Sequence, residues 1–222
     1  MSQFTPFQKI PRLNRDIIIT EKIDGTNAAI VVERELDEDK GSAQPGILLS
    51  EPHPLAGLVV RAQSRSRFIG PENDNAGFAR WVFKNADQLA TLLGEGIHFG
   101  EWWGKGVNIG YGVDGKRFSL FNVSRWNDMD AIVDGVPVRP VPKLYEGPWF
   151  TGLHHMIGGG GPGLWAPAEA LKVLQEHGSI AAPRWMKPEG IVVFHTASGN
   201  LYKATIEKDD KPKGSAEKVY DA

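Results

Sequence analysis

The sequence predicts an α+β fold built mainly on antiparallel sheet, and three observations carry that prediction. Short apolar runs of strand character recur from residue 16 to residue 206, each bounded by Gly, Pro, Asn or Asp. Two stretches follow helical spacing instead. No internal repeat is evident, and mixed strands with intervening helices favour an α+β architecture built on antiparallel sheet.

Residues 16–20 (Asp-Ile-Ile-Ile-Thr) form a β-type run and residues 28–32 a second, with Asp24-Gly25 supplying turn chemistry between them. Residues 34–57 are an acidic excursion containing Gly and Pro, and 58–63 read as a strand of imperfect alternation. Phe78, Trp81, Val82, Ala86, Leu89 and Leu93 keep helical spacing. That spacing predicts a core-facing helix with Asp74 or Asn75 as N-cap and Gly94 beyond its end. Residues 97–102 and 118–123 predict antiparallel strands joined by a mobile glycine-rich connection, 104–115. Residues 145–167, with four consecutive glycines and several prolines, predict a flexible loop or lid. A helix over 168–177 ends at Gly178. Residues 190–195 and 200–206 read as a hairpin turning at Ala197-Ser198-Gly199, and 207–222 as a charged peripheral tail.

At 222 residues, 41% hydrophobic and 23% charged, the chain can bury a sizeable core as one domain or as a domain with a small appendage. No apolar run approaches the roughly 20 residues that cross a bilayer, and no signal-peptide core opens the sequence. The absence of cysteine excludes disulfides and thiolate metal sites and permits a reducing, cytoplasmic setting. A net charge of -2 argues against a broad basic coat for nucleic acid, while leaving room for a local cationic groove.

The segment most informative about chemistry is Glu21-Lys22-Ile23-Asp24-Gly25-Thr26-Asn27, which sets one lysine at the end of a β-type run. Three later segments could complete a phosphate-handling site around it: Phe99-Gly100-Glu101-Trp102-Trp103-Gly104, Pro188-Glu189-Gly190-Ile191-Val192-Val193 and Leu201-Tyr202-Lys203-Ala204-Thr205. Glu101 lies in an apolar strand, where a carboxylate needs partners. Ser119 and Phe121 alternate onto one strand face. The histidines, including the His154-His155 pair, lack metal-ligand spacing.

In order, these four segments resemble the motifs of the covalent nucleotidyltransferases, the superfamily of ATP-dependent RNA and DNA ligases and capping guanylyltransferases. The Thr26-Asn27 extension and the Gly100-Glu101 start look most like ATP-dependent RNA ligases, particularly the nick-sealing branch. The likeness runs from Glu21 to about Lys203. It implies the nucleotidyltransferase (ATP-grasp-like ligase) fold, two mainly antiparallel sheets around a nucleotide cleft with flanking helices. It further implies a minimal adenylation domain over 1–206, with no OB-fold domain after it.

The resemblance implies roles residue by residue. Lys22 is the nucleophile that forms lysyl-AMP, and a lysine with an ordinary pKa near ~10.4 must shed its proton first. Asp24 is either a turn acid or a carboxylate supporting the later sealing step, and the two readings can coexist. Glu21, Ile23, Asn27, Glu101 and Phe121 bind nucleotide, Glu101 through ribose and Phe121 by stacking on adenine, against the plainer reading of a core phenylalanine. Ser64-Arg65-Ser66-Arg67 matches the short arginine motif that holds phosphate or a nucleic-acid end; Arg65 and Arg67 remain alternatives for the register. Glu189 helps hold a divalent metal, and Lys203 contacts the α-phosphate. A departure stands at Lys203: many ligases carry Lys-x-Lys, whereas Leu201 and Thr205 flank this lysine. Lys187 and Lys105 are cations available to compensate.

The function expected from this set is ATP-dependent joining of a 5′-phosphate to a 3′-hydroxyl by a monomer, with Mg²⁺ or Mn²⁺, on nicked duplex or single-stranded RNA. A minimal DNA ligase and an RNA-end-binding module without turnover are the alternatives.

Overall fold

Runs rich in isoleucine, valine and aromatic residues generate most of the strands in the computed structural model, which describes residues 4–34, 44–151, 164–207 and 209. Strand β1 spans Asp16–Lys22, β2 Thr26–Arg34, β3 Ile47–Leu48, β4 Leu58–Ser64 and β5 Phe68–Ile69. Helices α1 (Phe78–Lys84) and α2 (Ala86–Leu93) follow, then β6 (Gly96–Gly104), β7 (Lys116–Leu120), β8 (Ala131–Val133) and β9 (Val136–Pro140). The last elements are β10 (Lys143–Pro148), β11 (Phe150–Thr151), β12 (Leu164–Trp165), α3 (Ala166–His177), β13 (Gly190–His195) and β14 (Asn200–Thr205). They group into two compact units, one from Met1–Lys22 and Lys143–Ala222, the other from Ile23–Pro142. The α+β expectation is met: two sheets dominate, and among the described residues every strand pair is antiparallel except β7 with β9.

In the first unit the sheet order is β10-β1-β13-β14. Side chains alternate across a strand, so one face of β1 carries Ile17 and Ile19 and the other Ile18, Thr20 and Lys22. The first face joins Ile191 and Val193 of β13 and is covered by Ala166, Ala170 and Leu174 of α3. The α3 helix begins two residues earlier than its spacing predicts, with Pro167 in its first turn, and Gly178 closes it by donating its N–H to the Leu174 carbonyl at 2.9 Å. The β13–β14 hairpin turns where expected, with Gly199 N–H on the His195 carbonyl.

In the second unit the sheet runs β3-β4-β2-β6-β7-β9-β8, with β5 paired to β4. Its core face takes Ala28, Ile30 and Val32 from β2, Val60 and Ala62 from β4, Trp102 from β6, and Phe118 and Leu120 from β7. Both short helices pack on that face. Phe78 and Trp81 of α1 meet Trp102 with ring centroids 5.4 and 5.2 Å apart, and Phe118 lies 5.4 Å from Phe78. Each such ring, buried, contributes about 1.5–3 kcal/mol by leaving water.

Three features differ from the sequence reading. The single helix over 78–93 is two, because Asn85 leaves helical geometry (φ -119°, ψ 26°) and its side-chain amide donates to the Trp81 carbonyl at 2.8 Å. The residue preceding α1 is Gly77, although the Asp74 carboxylate still accepts the Ala79 N–H at 2.7 Å. Strands β8 to β12 were not legible, since their runs are short and proline-interrupted. Most of the expected 145–167 lid, the His154-His155 pair and nearly all of the tail lie outside the described residues.

His98 of β6 is 2% exposed, with Nε2 2.9 Å from the Gly94 carbonyl. A carbonyl only accepts, so Nε2 carries the proton, and Nδ1 has no partner among the described residues. Burial holds its pKa below the ordinary 6.5; the Gly94 bond opposes that shift and nearby Arg125 reinforces it. A depressed histidine pKa means the unfolded chain takes the proton first as pH falls. Stability is therefore full above about 6.5 and declines below it. Melting temperature should fall between about pH 7.5 and about pH 5.5, and His98→Gln should flatten that slope; an unchanged slope in the variant would remove His98 as its source.

Candidate active site

Pairing of β1 with β13 positions the candidate residues of the first unit. The register sets Lys22 opposite Gly190 and Thr20 opposite Val192, while β13–β14 sets Val192 opposite Lys203. Lys22 and Lys203 therefore share the sheet face not covered by α3, two strands apart, which is about 10 Å across the sheet. Glu189 immediately precedes β13, and its Oε2 lies 2.6 Å from Lys22 Nζ, both side chains being largely buried. Gly190 is demanded here: with φ at +155°, a Cβ would collide with the Ala204 carbonyl oxygen and Thr205 Cα. Lys203 is exposed on the edge strand, and Lys187 is also exposed. The row through Thr20 and Lys203 ends on β10 at Lys143, a cation the sequence reading did not single out, which pairs with Glu146 at 2.7 Å.

Glu21 points to the opposite side of the sheet from Lys22, because adjacent strand residues face opposite ways. It is 1% exposed. Its carboxylate accepts Ser179 Oγ–H at 2.5 Å and the Ile180 and Ala181 N–H groups at 2.9 Å each. The expected nucleotide role of Glu21 therefore does not pass through its side chain as placed here; the carboxylate fastens the loop after α3. Burial raises its pKa, with the three hydrogen bonds opposing.

The second unit carries a separate set of candidate residues. Asn27, Glu101 and Ser119 stand in one cross-strand row through β2, β6 and β7, on the face opposite the aromatic core. The row continues to Arg139 of β9, which ion-pairs with Asp130. One row further, Phe99 is 45% exposed, and Phe121, just past β7, donates its N–H to the Phe99 carbonyl and is 38% exposed. An open aromatic surface thus adjoins the polar row. Ile23 is buried at 3%. Trp103 is buried on the open-face side and donates Nε1–H to Ser119 Oγ at 2.9 Å. Arg65 and Arg67 lie in an exposed turn after β4, closed by Ser64 N–H on the Arg67 carbonyl, at the Asn27 end of β2.

The Asp24-Gly25 turn is fastened by hydrogen bonds from several directions. Tyr111 Oη accepts Asp24 N–H at 2.8 Å, and Glu101 Oε1 accepts Gly25 N–H at 3.1 Å. Asn108 Nδ2 donates to Asp24 Oδ1 at 2.9 Å and to the Gly25 carbonyl at 2.6 Å. A Cβ on Gly25 would lie 2.5 Å from the Trp102 carbonyl oxygen and 2.8 Å from Trp103 Cβ, so only glycine fits against β6. Asn108 and Tyr111 belong to the loop expected to be mobile. It is instead cross-bonded, with Lys105 N–H on the Gly115 carbonyl and Val107 N–H on the Gly104 carbonyl, and both Val107 and Tyr111 are buried. Its glycine density was the available signal, because closely spaced positive-φ glycines also build tight, ordered turns.

Among the described residues no three His, Cys, Asp or Glu side chains cluster as a metal cage. Glu189 is a hard oxygen donor beside Lys22, a donor type that suits Mg²⁺ or Mn²⁺ held by one carboxylate together with substrate phosphates.

With that geometry described, comparison with known proteins places the chain. The RNA ligase family model matches residues 15–205, and the chain belongs to that family. No curated protein matches it. Similar solved structures include a Lys-to-Met mutant of the Naegleria gruberi RNA ligase with AMP and Mn, at 16% identity and a TM-score of 0.46, covering 87% of this chain and 50% of that one. A Lys-to-Ala mutant of the same ligase with ATP and Mn matches at 16% identity and 0.47, covering 86% and 49%. The chain thus spans about half the length of the structures it matches.

Glu21 is expected to matter for stability through its three donors. Glu21→Ala strands buried N–H and O–H groups, at about 1–3 kcal/mol for each one left unsatisfied, and should lower the melting temperature clearly. Glu21→Gln keeps the acceptor and removes the buried charge, so it should melt close to wild type at neutral pH. Because the folded carboxyl pKa is raised, stability from this group declines as pH rises through that pKa, and the Gln variant should lack that decline. Equal melting of the Ala variant and wild type would refute the anchor.

Proposed function

We propose that the chain is the adenylation domain of an ATP-dependent RNA ligase, of the nucleotidyltransferase fold. The observation that carries this reading is the placement of Lys22 and Lys203 on one sheet face, with Glu189 at 2.6 Å from Lys22 Nζ. Nζ attacks the α-phosphorus of ATP; an N–P bond forms and the P–O bond to pyrophosphate breaks, leaving lysyl-AMP. AMP passes to a 5′-phosphate end, and a 3′-hydroxyl then attacks that phosphate, forming the phosphodiester and expelling AMP.

Glu189 holds Nζ at the strand end before attack. Lys203 supplies positive charge where the α-phosphate gains negative charge. Asn27, Glu101 and Phe121 offer the polar and aromatic surface for the nucleoside, and Arg65 or Arg67 the guanidinium for a phosphate at the strand end. Mg²⁺ or Mn²⁺, held at Glu189 with the triphosphate, would offset phosphate charge and orient the leaving group.

After incubation with ATP and divalent metal, intact mass should show one AMP adduct, and peptide mapping should place it on Lys22. Lys22→Ala should show none; a persistent adduct in that variant would defeat the assignment. A protein that binds ATP and never becomes labelled would be a binding module.

A second expectation concerns the strand. RNA at the 3′-hydroxyl side of a nick should be preferred, since a 2′-hydroxyl offers an extra donor and acceptor and favours A-form geometry. Pre-adenylated nicks differing only in ribose or deoxyribose at the terminal 3′ nucleotides measure this directly. Equal rates would overturn the proposed ribose preference.

A further inference from the structure

Asn108 has no assigned role, yet its side chain and backbone are both unusual. It sits in the left-handed region at φ +44°, inside a loop where Gly106, Gly110, Gly112 and Tyr111 also have positive φ. Its amide spans two acceptors of one turn, the Asp24 carboxylate at 2.9 Å and the Gly25 carbonyl at 2.6 Å. An amide NH₂ has two hydrogens, and this pair of bonds can use both. The segment that delivers Asn108 is fixed from behind: Tyr111 is 2% exposed, lies edge-on to Trp103 at 5.2 Å, and accepts Asp24 N–H.

From these contacts we infer that Asn108 is a positioning residue, orienting the Asp24 carboxylate for strand sealing. The inference rests on the ligase reading and deepens it, by assigning a loop that the nucleotide and metal chemistry does not use. The Asp24 carboxylate stands on a half-buried turn and has two side-chain torsions to be fixed. Two bonds from a single amide, one to the carboxylate and one to the adjoining carbonyl, lock its direction to the backbone beneath it. Misplacement of a reacting group by about 1 Å costs on the order of a hundredfold in rate, so the effect of losing that lock is measurable.

The competing explanation is that asparagine is present only because it tolerates positive φ. Glycine tolerates that conformation better and lacks the amide, so Asn108→Gly separates the two. With Asn108→Gly, sealing of a pre-adenylated nick should fall by about tenfold to about a hundredfold. Lysyl-AMP formation from ATP should change far less, and the melting temperature should stay near wild type. Asn108→Asp, which loses the donor and sets a second carboxylate against Asp24, should seal more slowly still. Normal sealing by the glycine variant, or equal loss at both steps, overturns the positioning role. Absence of any AMP adduct in the wild-type protein would instead overturn the ligase reading beneath it, and the two failures are distinct.

Discussion

Pairing of β1 with β13 is the constraint on which the chemistry of the first unit depends. It joins residues 167 apart in sequence, Lys22 and Glu189, at hydrogen-bond distance. The bond is short because of the register: once Ile17 is opposite His195, every later pair follows, down to Lys22 against Gly190. A slip of one residue would turn the isoleucines away from α3 and carry Lys22 to the covered face. The apolar packing of Ile17, Ile19, Ile191 and Val193 beneath the helix therefore holds the lysine where it can react.

The same alternation sorts neighbours in the chain into different work. Glu21 and Lys22 are adjacent, yet one anchors a loop inside the unit while the other lies on the open face. Trp102 fills the aromatic core while Glu101 and Trp103, either side of it, face the polar row. A carboxylate in an apolar strand reads in one dimension as a ligand contact or an uncompensated charge. For Glu21, desolvation is offset by three donors from a loop more than 150 residues away.

The glycine-rich 104–115 loop shows how composition misleads when taken as mobility. Positive-φ glycines there let the backbone turn tightly, and the path is closed by backbone hydrogen bonds and a buried tyrosine. In the second unit the loop grips the Asp24-Gly25 turn through Tyr111 and Asn108. The break at Asn85 is of the same kind: the apolar spacing continues through it, so periodicity alone sees one helix, while a side-chain bond to the Trp81 carbonyl ends the first.

By itself the sequence determined the strands β1, β2, β4, β6, β7, β13 and β14, the α3 helix, and the ordered motifs that place the chain among RNA ligases. Those are local properties, period-two alternation and short residue patterns, and they need no knowledge of distant contacts. Only the tertiary structure decided which face each motif residue occupies, that Glu21 turns away while Lys203 and Lys143 align in one row with Thr20, and that Asn108 and Tyr111 hold Asp24. The reason is physical: a face is defined by its partner strand, and a hydrogen bond by where two remote segments meet. Neither quantity is carried by the residues of one segment alone.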